Sequence, residues 1–244
     1  MTRLDQALVD RGLCDSRERA KRSILAGQVR VNGHPARKAS DPVKDADAIT
    51  LDAPEKFVSR GGHKLEHALT HFKLDVTGLT AFDLGASTGG FTDCLLQHGA
   101  ARVYAVDVGH GQLAWKLRQD PRVTVMEKTN ARYLDPARFS APADLAVVDC
   151  SFISLKMILP PAVPLLRPGA LIVALIKPQF EAGKAEADKG RGVIRDDAIH
   201  QRVLAELEQF VSTQTGLFWR GVVESPLLGP AGNKEFLALI EKTR

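Results

Sequence analysis

Residues 80–91 constrain the fold of this chain more than any other segment. A short apolar run leads to Asp83, passes through a turn of small residues, and opens into an apolar helix. Small residues let a ligand approach the backbone closely, and the first N–H groups of a helix lack helical partners. A second apolar run ends at Asp107, 24 residues after Asp83, where a strand–helix–strand unit can bind ribose hydroxyls. The segment therefore predicts a site for a nucleoside-containing ligand.

The composition is that of a soluble globular protein. With 244 residues, the chain can hold one large domain or a medium domain with a small appendage. Its cysteines are odd in number and lack CxxC spacing, which indicates neither a disulfide framework nor a zinc site: Cys14, Cys94 and Cys150. Histidines recur from His63 to His71 without an apparent fourth ligand, so no metal is expected. The longest apolar run towards the C-terminus, residues 170–176, is too short to cross a bilayer, and we expect a cytoplasmic protein.

The first module, residues 1–53, is predicted to be a small α+β domain. Thr2 is expected to cap a first helix, and the Asp15–Glu18 pair to open a second helix whose inward face includes Leu25. A tight turn at residues 32–33 and an apolar run at residues 49–51 predict a hairpin and a closing strand.

Basic residues are concentrated in this module. Between residues 17 and 38, seven Lys and Arg residues stand against the single acid Glu18, which favours binding to a phosphate backbone over a solvated helix face. Residues 3–8, 16–20 and 27–33 resemble the α-L RNA-binding motif. The expected RNA contacts are Arg3, Arg17, Arg19, Lys21, Arg22 and Arg30. Such a module recognises RNA by shape and phosphates rather than by base sequence.

A linker at residues 54–59 is predicted to join a second module, residues 60–244. Apolar strands alternate with helical patterns there, which predicts a mostly parallel sheet covered on both faces. Residues 218–224 and 236–240 are expected to form a final hairpin.

The glycine turn favours S-adenosylmethionine over other nucleoside cofactors. Its glycine spacing does not reproduce GxGxxG, and the chain lacks the GxxxxGK[ST] pattern of a nucleotide phosphate loop. A short turn suits a ligand without a pyrophosphate, and an acid suits one with cationic amino and sulfonium groups. The predicted cofactor contacts are Asp83, Gly85, Ala86, Ser87, Thr88, Gly89, Gly90, Phe91, Asp107 and Asn130.

Five segments of the second module carry a family resemblance: residues 59–65, 83–93, 148–154, 176–181 and 232–236. Together they resemble the hemolysin-A-like (TlyA) ribosomal RNA 2′-O-methyltransferases, a branch of the FtsJ-like fold. The resemblance implies a Rossmann-like class I methyltransferase with a mostly parallel seven-stranded sheet. It also implies a ribosomal RNA or ribosomal-subunit partner and a cytidine ribose as the methyl acceptor, with large-subunit RNA favoured.

The same resemblance implies a catalytic tetrad of Lys64, Asp149, Lys177 and Glu235. Lys177 would lie nearest the 2′-hydroxyl, either receiving its proton or acting only as a positioning cation. Arg60, Lys184, Lys189 and Arg191 are candidates for extending the RNA surface.

Three other functions remain alternatives: an RNA-binding protein without catalysis, a membrane-active hemolysin, and a methyltransferase acting on a base or small molecule. The four charged residues in recognisable motifs oppose the first. The lack of a transmembrane span or basic amphipathic helix in the sequence opposes the second.

Overall fold

The computed structural model describes residues 1–52, 55–183, 186, 188 and 190–244. They form two compact units, Met1–Lys56 and Phe57–Arg244. The larger unit includes the second half of the linker predicted at residues 54–59, because the Phe57 ring is buried in its core. Lys184 and Lys189, both predicted RNA contacts, lie outside the described residues. Among the described helices, none has the length and apolar character needed to span a membrane.

The smaller unit contains two short helices and two small antiparallel sheets. Its elements are β1 (Thr2–Arg3), α1 (Leu4–Asp10), α2 (Arg17–Leu25), β2 (Val29–Val31), β3 (His34–Pro35), β4 (Pro42–Val43) and β5 (Ile49–Leu51). Strand β2 pairs with both β3 and β5, and β1 pairs with β4. Side chains of α1 and α2, including Leu4, Leu8 and Ile24, pack into one core with Val29.

The ends of these helices differ from the sequence expectations. Arg3, rather than Thr2, precedes α1, because Thr2 pairs with Val43 in a strand. Ser16, rather than Asp15, caps α2 by accepting a hydrogen bond from the Arg19 backbone N–H at 3.3 Å. Leu25 is 83% exposed instead of facing inward, since α2 ends at that residue.

The larger unit is a doubly wound α/β domain. Its first elements are α3 (Gly61–His71), β6 (Thr80–Leu84), α4 (Gly90–Gln97), β7 (Arg102–Val106), α5 (Trp115–Arg118) and β8 (Val123–Met126). Two 3-10 turns (Ala131–Tyr133 and Pro136–Arg138) lead to β9 (Ala143–Val148), α6 (Leu155–Ala162), and a third 3-10 turn (Val163–Leu165). The chain continues through β10 (Leu166–Ile176), α7 (Pro178–Glu181), α8 (Asp197–Thr213), β11 (Leu217–Glu224) and β12 (Phe236–Lys242).

The seven strands lie in the order β11-β12-β10-β9-β6-β7-β8. The five from β10 to β8 are parallel, whereas β12 runs antiparallel to both of its neighbours. Two large apolar clusters contain the buried side chains of the sheet and its covering helices. The architecture confirms the predicted fold class, including the final hairpin of β11 and β12.

The strand order reverses between β6 and β9. Loops after neighbouring strands turn away from each other at such a point, and the resulting crevice at the carboxyl ends of the strands is the usual ligand site of open α/β sheets. Asp83, Asp107, Asp149 and Lys177 are all at or next to these strand ends.

Candidate active site

Two cavities open at the carboxyl edge of the sheet. The larger has a volume of about 450 Å³ and the smaller about 420 Å³. Gly85, Ser87 and Asp149 line both, so the cavities meet at the turn after β6. Together the two cavities offer space for an elongated ligand that crosses this turn.

The glycine turn is shaped by close backbone contacts. Gly85 has a φ of +91°, and a Cβ built there would lie 2.7 Å from the Asp149 carbonyl oxygen. A Cβ on Gly90 would lie 2.9 Å from the backbone nitrogen of Gly62, so α3 and α4 approach closely at their first turns.

Most of the predicted turn residues reach the smaller cavity. Its wall includes Gly85, Ala86, Ser87, Thr88, Gly90 and Phe91. Gly89 is not among the residues lining either cavity, because the space beside its Cα is filled by Leu117. Its φ of +94° instead lets the chain enter α4.

Asp83 presents a buried carboxylate to the smaller cavity. Its Oδ2 accepts hydrogen bonds from the backbone N–H and the hydroxyl of Thr92, at 2.9 and 2.6 Å. Its Oδ1 has no hydrogen-bond partner among the described residues. Burial raises the pKa of Asp83 to about 7, and the charges of Asp149 and Asp107 act in the same direction while Thr92 opposes them. A cationic ligand group would offset this cost of burial.

Asp107 and Asn130 line the larger cavity. The Asp107 carboxylate accepts hydrogen bonds from the Ser87 and Gly109 backbone N–H groups, at 2.8 and 2.7 Å, which fixes its orientation. Asn130 Oδ1 accepts from the Arg132 backbone N–H at 3.0 Å, so it organises its own turn as well as the wall.

The structure brings the four predicted catalytic residues together from distant parts of the chain. Lys64 lies in the first turn of α3, Asp149 directly follows β9, and Lys177 directly follows β10. Glu235 directly precedes β12. Since Ile176 pairs with Phe236 in the antiparallel register, Lys177 and Glu235 are adjacent at the end of the sheet.

These residues form two ion pairs. Lys64 Nζ donates to Glu235 Oε2, and both side chains are almost completely buried. Lys177 Nζ lies 2.6 Å from Asp149 Oδ1 and donates to Ser151 Oγ at 2.8 Å. Lys64 and Asp149 line the smaller cavity, and Glu235 and Lys177 contact them without being among its lining residues. The arrangement places two ammonium groups beside one crevice, each held by its own carboxylate.

Several residues of the cavity walls were not predicted as site residues. Ser151 and Phe152 line the larger cavity, as does Gln112, which accepts from Ser87 Oγ at 3.3 Å. Ser151 was detectable in principle, because it stands three residues after a strand that ends at the carboxyl edge. The sequence carries no comparable signal for Gln112, which lies in the loop after β7.

The basic residues of the smaller unit are paired with more acidic residues than the one found within residues 17–38. Arg3 and Arg17 both contact Asp5, whose pKa they hold at about 2, mainly through the Arg3 hydrogen bond. The remaining pairs are Arg19–Asp15, Lys21–Glu18 and Arg30–Asp52. Glu18 is the one acid within residues 17–38, but Asp5, Asp15 and Asp52 from outside that window also pair with the cluster. Arg22 has no ion pair within 4 Å among the residues that the structure describes.

Two further predicted RNA contacts lie in the larger unit. Arg60 lines the smaller cavity and donates to the Leu228 carbonyl at 2.5 Å. Arg191 lines a separate surface cavity together with Arg195. The structure therefore places Arg60, but not Arg191, on the wall beside Lys64.

The strand order, the glycine turn and the carboxylates around it define a Rossmann-like methyltransferase domain. Residues 57–242 match the FtsJ-like methyltransferase family, and residues 2–49 match the S4 domain. The chain belongs to the FtsJ-like methyltransferase family, as its motifs predicted.

Relatives extend over nearly the whole chain. It is 49% identical over 237 residues to the 16S/23S rRNA (cytidine-2′-O)-methyltransferase TlyA of Mycobacterium tuberculosis, covering 96% of this chain and 87% of that protein. It is 42% identical over 237 residues to Hemolysin A of Brachyspira hyodysenteriae, covering 97% and 98%. A solved structure of a hemolysin-named protein from Streptococcus thermophilus has a TM-score of 0.76 and 46% identity, covering 99% of this chain and 88% of the other.

Proposed function

We propose that this protein transfers a methyl group from S-adenosylmethionine to the ribose 2′-hydroxyl of a cytidine in ribosomal RNA, with large-subunit RNA as the first substrate to test. The observation that carries the proposal is the pair of ammonium–carboxylate contacts beside the cavity that also holds Asp83. The Mycobacterium tuberculosis relative is named for cytidine-2′-O-methylation of rRNA, which supports a cytidine 2′-hydroxyl as the acceptor.

The residues around the glycine turn fit S-adenosylmethionine. Asp83 Oδ1 is a buried acceptor without a hydrogen-bond partner among the described residues, which suits a cationic amino group. Asp107 is oriented by two backbone N–H groups and suits ribose hydroxyls. When bound, the cofactor supplies a methyl group on a positively charged sulfur. The small residues of the turn let it lie close to the backbone.

The tetrad then acts on the acceptor hydroxyl. Lys177, as an ammonium held in place by Asp149 and Ser151, orients that oxygen and stabilises its developing negative charge, while the hydroxyl proton passes to water. Glu235 neutralises Lys64, so that the second ammonium can lie in the same buried region. Orientation of the acceptor supplies much of the rate, because the oxygen must meet the methyl group in line.

The smaller unit supports the choice of an RNA substrate. Its match to the S4 domain is combined with basic side chains on α2 and β2. Such groups bind phosphates without reading sequence, so we expect them to hold structured RNA. The target nucleotide must leave its stack for its ribose to reach the crevice.

Mass spectrometry of the product tests the proposal. Purified protein is incubated with unmodified ribosomal RNA or subunits and isotopically labelled S-adenosylmethionine, and the RNA is digested to nucleosides. Label in 2′-O-methylcytidine is expected, and it should be lost in a folded Lys177→Ala variant. Label in a base would contradict the proposed acceptor, and RNA binding without any labelled nucleoside would favour the non-catalytic alternative.

A further inference from the structure

The loop between β9 and α6, residues 149–154, forms one wall of the larger cavity. Ser151, Phe152 and Ile153 all line it. Phe152 has a φ of +63°, and 89% of its surface is exposed. A bulky residue at positive φ is strained, and such a conformation persists only where the surroundings enforce it. Some contact outside the loop must therefore hold it.

Glu181, the last residue of α7, makes that contact. Its Oε2 accepts a hydrogen bond from Ser154 Oγ at 2.6 Å, and its Oε1 accepts from the Leu155 backbone N–H at 2.7 Å. Burial raises the pKa of Glu181, although both hydrogen bonds oppose the rise. A partly buried carboxylate with two charge-assisted hydrogen bonds is a strong, directional tie between two segments.

The same helix meets the loop at two other points. The Phe180 ring contacts the Phe152 ring, with centroids 5.0 Å apart. At the start of α7, Lys177 contacts Ser151, and its carbonyl accepts from the Phe180 backbone N–H at 2.8 Å. One short helix thus carries both the proposed catalytic ammonium and the carboxylate that fixes the end of the opposing loop.

We propose that Glu181 is a positioning residue for methyl transfer. By holding residues 154–155 against α7, it sets the place of Ser151 and Asp149, the two residues that orient the Lys177 ammonium. This inference rests on the proposed function, because it assigns Glu181 a role in that reaction. Glu181 itself does not line either cavity and is not expected to touch the substrate.

The structure predicts which kinetic quantity changes. Displacement of an orienting group by about 1 Å can cost about 10²-fold in rate without loss of binding. The loop also lines the larger cavity beside Asp107, but Glu181 holds neither Asp83 nor Asp107, so the cofactor Kd should change less than kcat. The RNA contacts of the smaller unit do not involve α7, so KM for RNA should also change little.

The test compares Glu181→Ala with Glu181→Gln. We expect Glu181→Ala to lower kcat by about 10–100-fold, with KM for RNA and the calorimetric Kd for S-adenosylmethionine within about threefold. Glu181→Gln should return kcat to within about threefold of wild type, because its amide oxygen still accepts from Leu155 and its NH₂ group can donate to Ser154 Oγ. Glu206→Ala is the matched control, since it removes a carboxylate paired with Lys156 but not one bound to the loop.

A folded Glu181→Ala variant with wild-type kcat would overturn the inference. So would a Glu181→Gln variant as slow as the alanine variant, since charge rather than hydrogen bonding would then be responsible. If the alanine variant does not fold, Ser154→Ala removes one of the two contacts, and an unchanged kcat there overturns the inference equally. Wild-type protein is assayed first: its failure to methylate RNA would contradict the proposed function, whereas normal transfer by wild type and by Glu181→Ala would contradict only the positioning role.

Discussion

Two groups of ion pairs, one at helix α2 of the smaller unit and one in the tetrad of the larger unit, are similar in residue type but differ in burial. In the smaller unit, the pairs Arg19–Asp15 and Lys21–Glu18 lie on the surface, with each side chain at least 41% exposed. In the larger unit, Lys64 and Glu235 are 8% and 1% exposed. Exposed pairs contribute little to stability and exchange partners readily. A buried pair cannot lose one member without leaving an uncompensated charge.

This difference in burial determines how much the substitution of a single charged residue can change. The surface cluster of the smaller unit spreads its attraction over many side chains, so that no single one is essential for binding RNA. In the tetrad, each lysine ammonium is paired with one carboxylate. A single substitution therefore alters either the reacting group or the carboxylate that holds an ammonium in place.

Replacement of the proposed catalytic ammonium should have the largest effect. We expect Lys177→Ala to lower kcat by about 10²–10⁴-fold, because no other described ammonium contacts Asp149 or Ser151. Single-turnover transfer of labelled methyl to RNA measures this step. Lys156→Ala, which removes a lysine paired with Glu206 on the surface, should leave the rate within about twofold. A Lys177→Ala rate within tenfold of wild type would place the reacting group elsewhere.

Disruption of the buried pair should have the next largest effect, on stability. Lys64→Met or Glu235→Gln alone should lower the free energy of unfolding by about 3–5 kcal/mol, because one buried charge loses its partner. The double variant Lys64→Met/Glu235→Leu should regain most of that stability while staying inactive. Denaturant unfolding and methyl transfer are measured on the same samples.

The surface pair provides the contrast. Arg19→Met/Asp15→Leu should leave the unfolding midpoint nearly unchanged, since both side chains are more than half exposed. An active Lys64→Met/Glu235→Leu protein would mean that the buried pair serves stability only.

Much of the candidate site at the carboxyl edge of the sheet could be predicted from the sequence. Asp149 and Lys177 each end an apolar run, and polar residues at the ends of parallel strands point to a shared crevice. Glu235 was different, because β12 is antiparallel and only its register with β10 brings that residue beside Lys177. The family resemblance implied Glu235, whereas strand-end reasoning alone does not.

The errors came from contacts between distant residues. Asp5 lies outside the basic window, yet it is buried and contacts both Arg3 and Arg17. Leu25 fits a helical stripe, but it is the last residue of α2 and therefore leaves the core. Thr2 has the chemistry of a helix cap, and pairing with Val43 in a strand prevents that role. Local patterns do not contain these pairings.

A change of pH should affect cofactor binding through Asp83. Because the pKa of this buried carboxyl is raised to about 7, it is mostly protonated at pH 6 and ionised at pH 8. A cationic ligand binds the ionised form, so affinity for S-adenosylmethionine should be about tenfold weaker at pH 6 than at pH 8. Calorimetric titration in buffers of different ionisation enthalpy should also detect proton release on binding at pH 6–7.

The variant Asp83→Asn separates this effect from ionisation of the ligand itself. Its affinity should be lower than wild type at pH 8 and should follow only the titration of the ligand amino group. If the wild-type protein and the Asp83→Asn variant show parallel pH profiles, the buried carboxylate does not contact the cationic group.

The smallest effects are expected for arginine substitutions in the smaller unit. They distinguish arginines that contact RNA from arginines that stabilise the unit. Arg22 has no ion pair within 4 Å in the described part of the chain. We therefore expect Arg22→Gln to weaken RNA binding a few-fold. It should also reduce the slope of the logarithm of the RNA-binding constant against the logarithm of salt concentration by about 0.7–0.9. Arg17 is engaged with the buried Asp5, so Arg17→Gln should lower the melting temperature more and the salt slope less. Fluorescence binding titrations at four salt concentrations, well below the melting temperature, measure both slopes. Equal losses of slope in the two variants would show that ion pairing within this unit does not decide which arginines bind RNA.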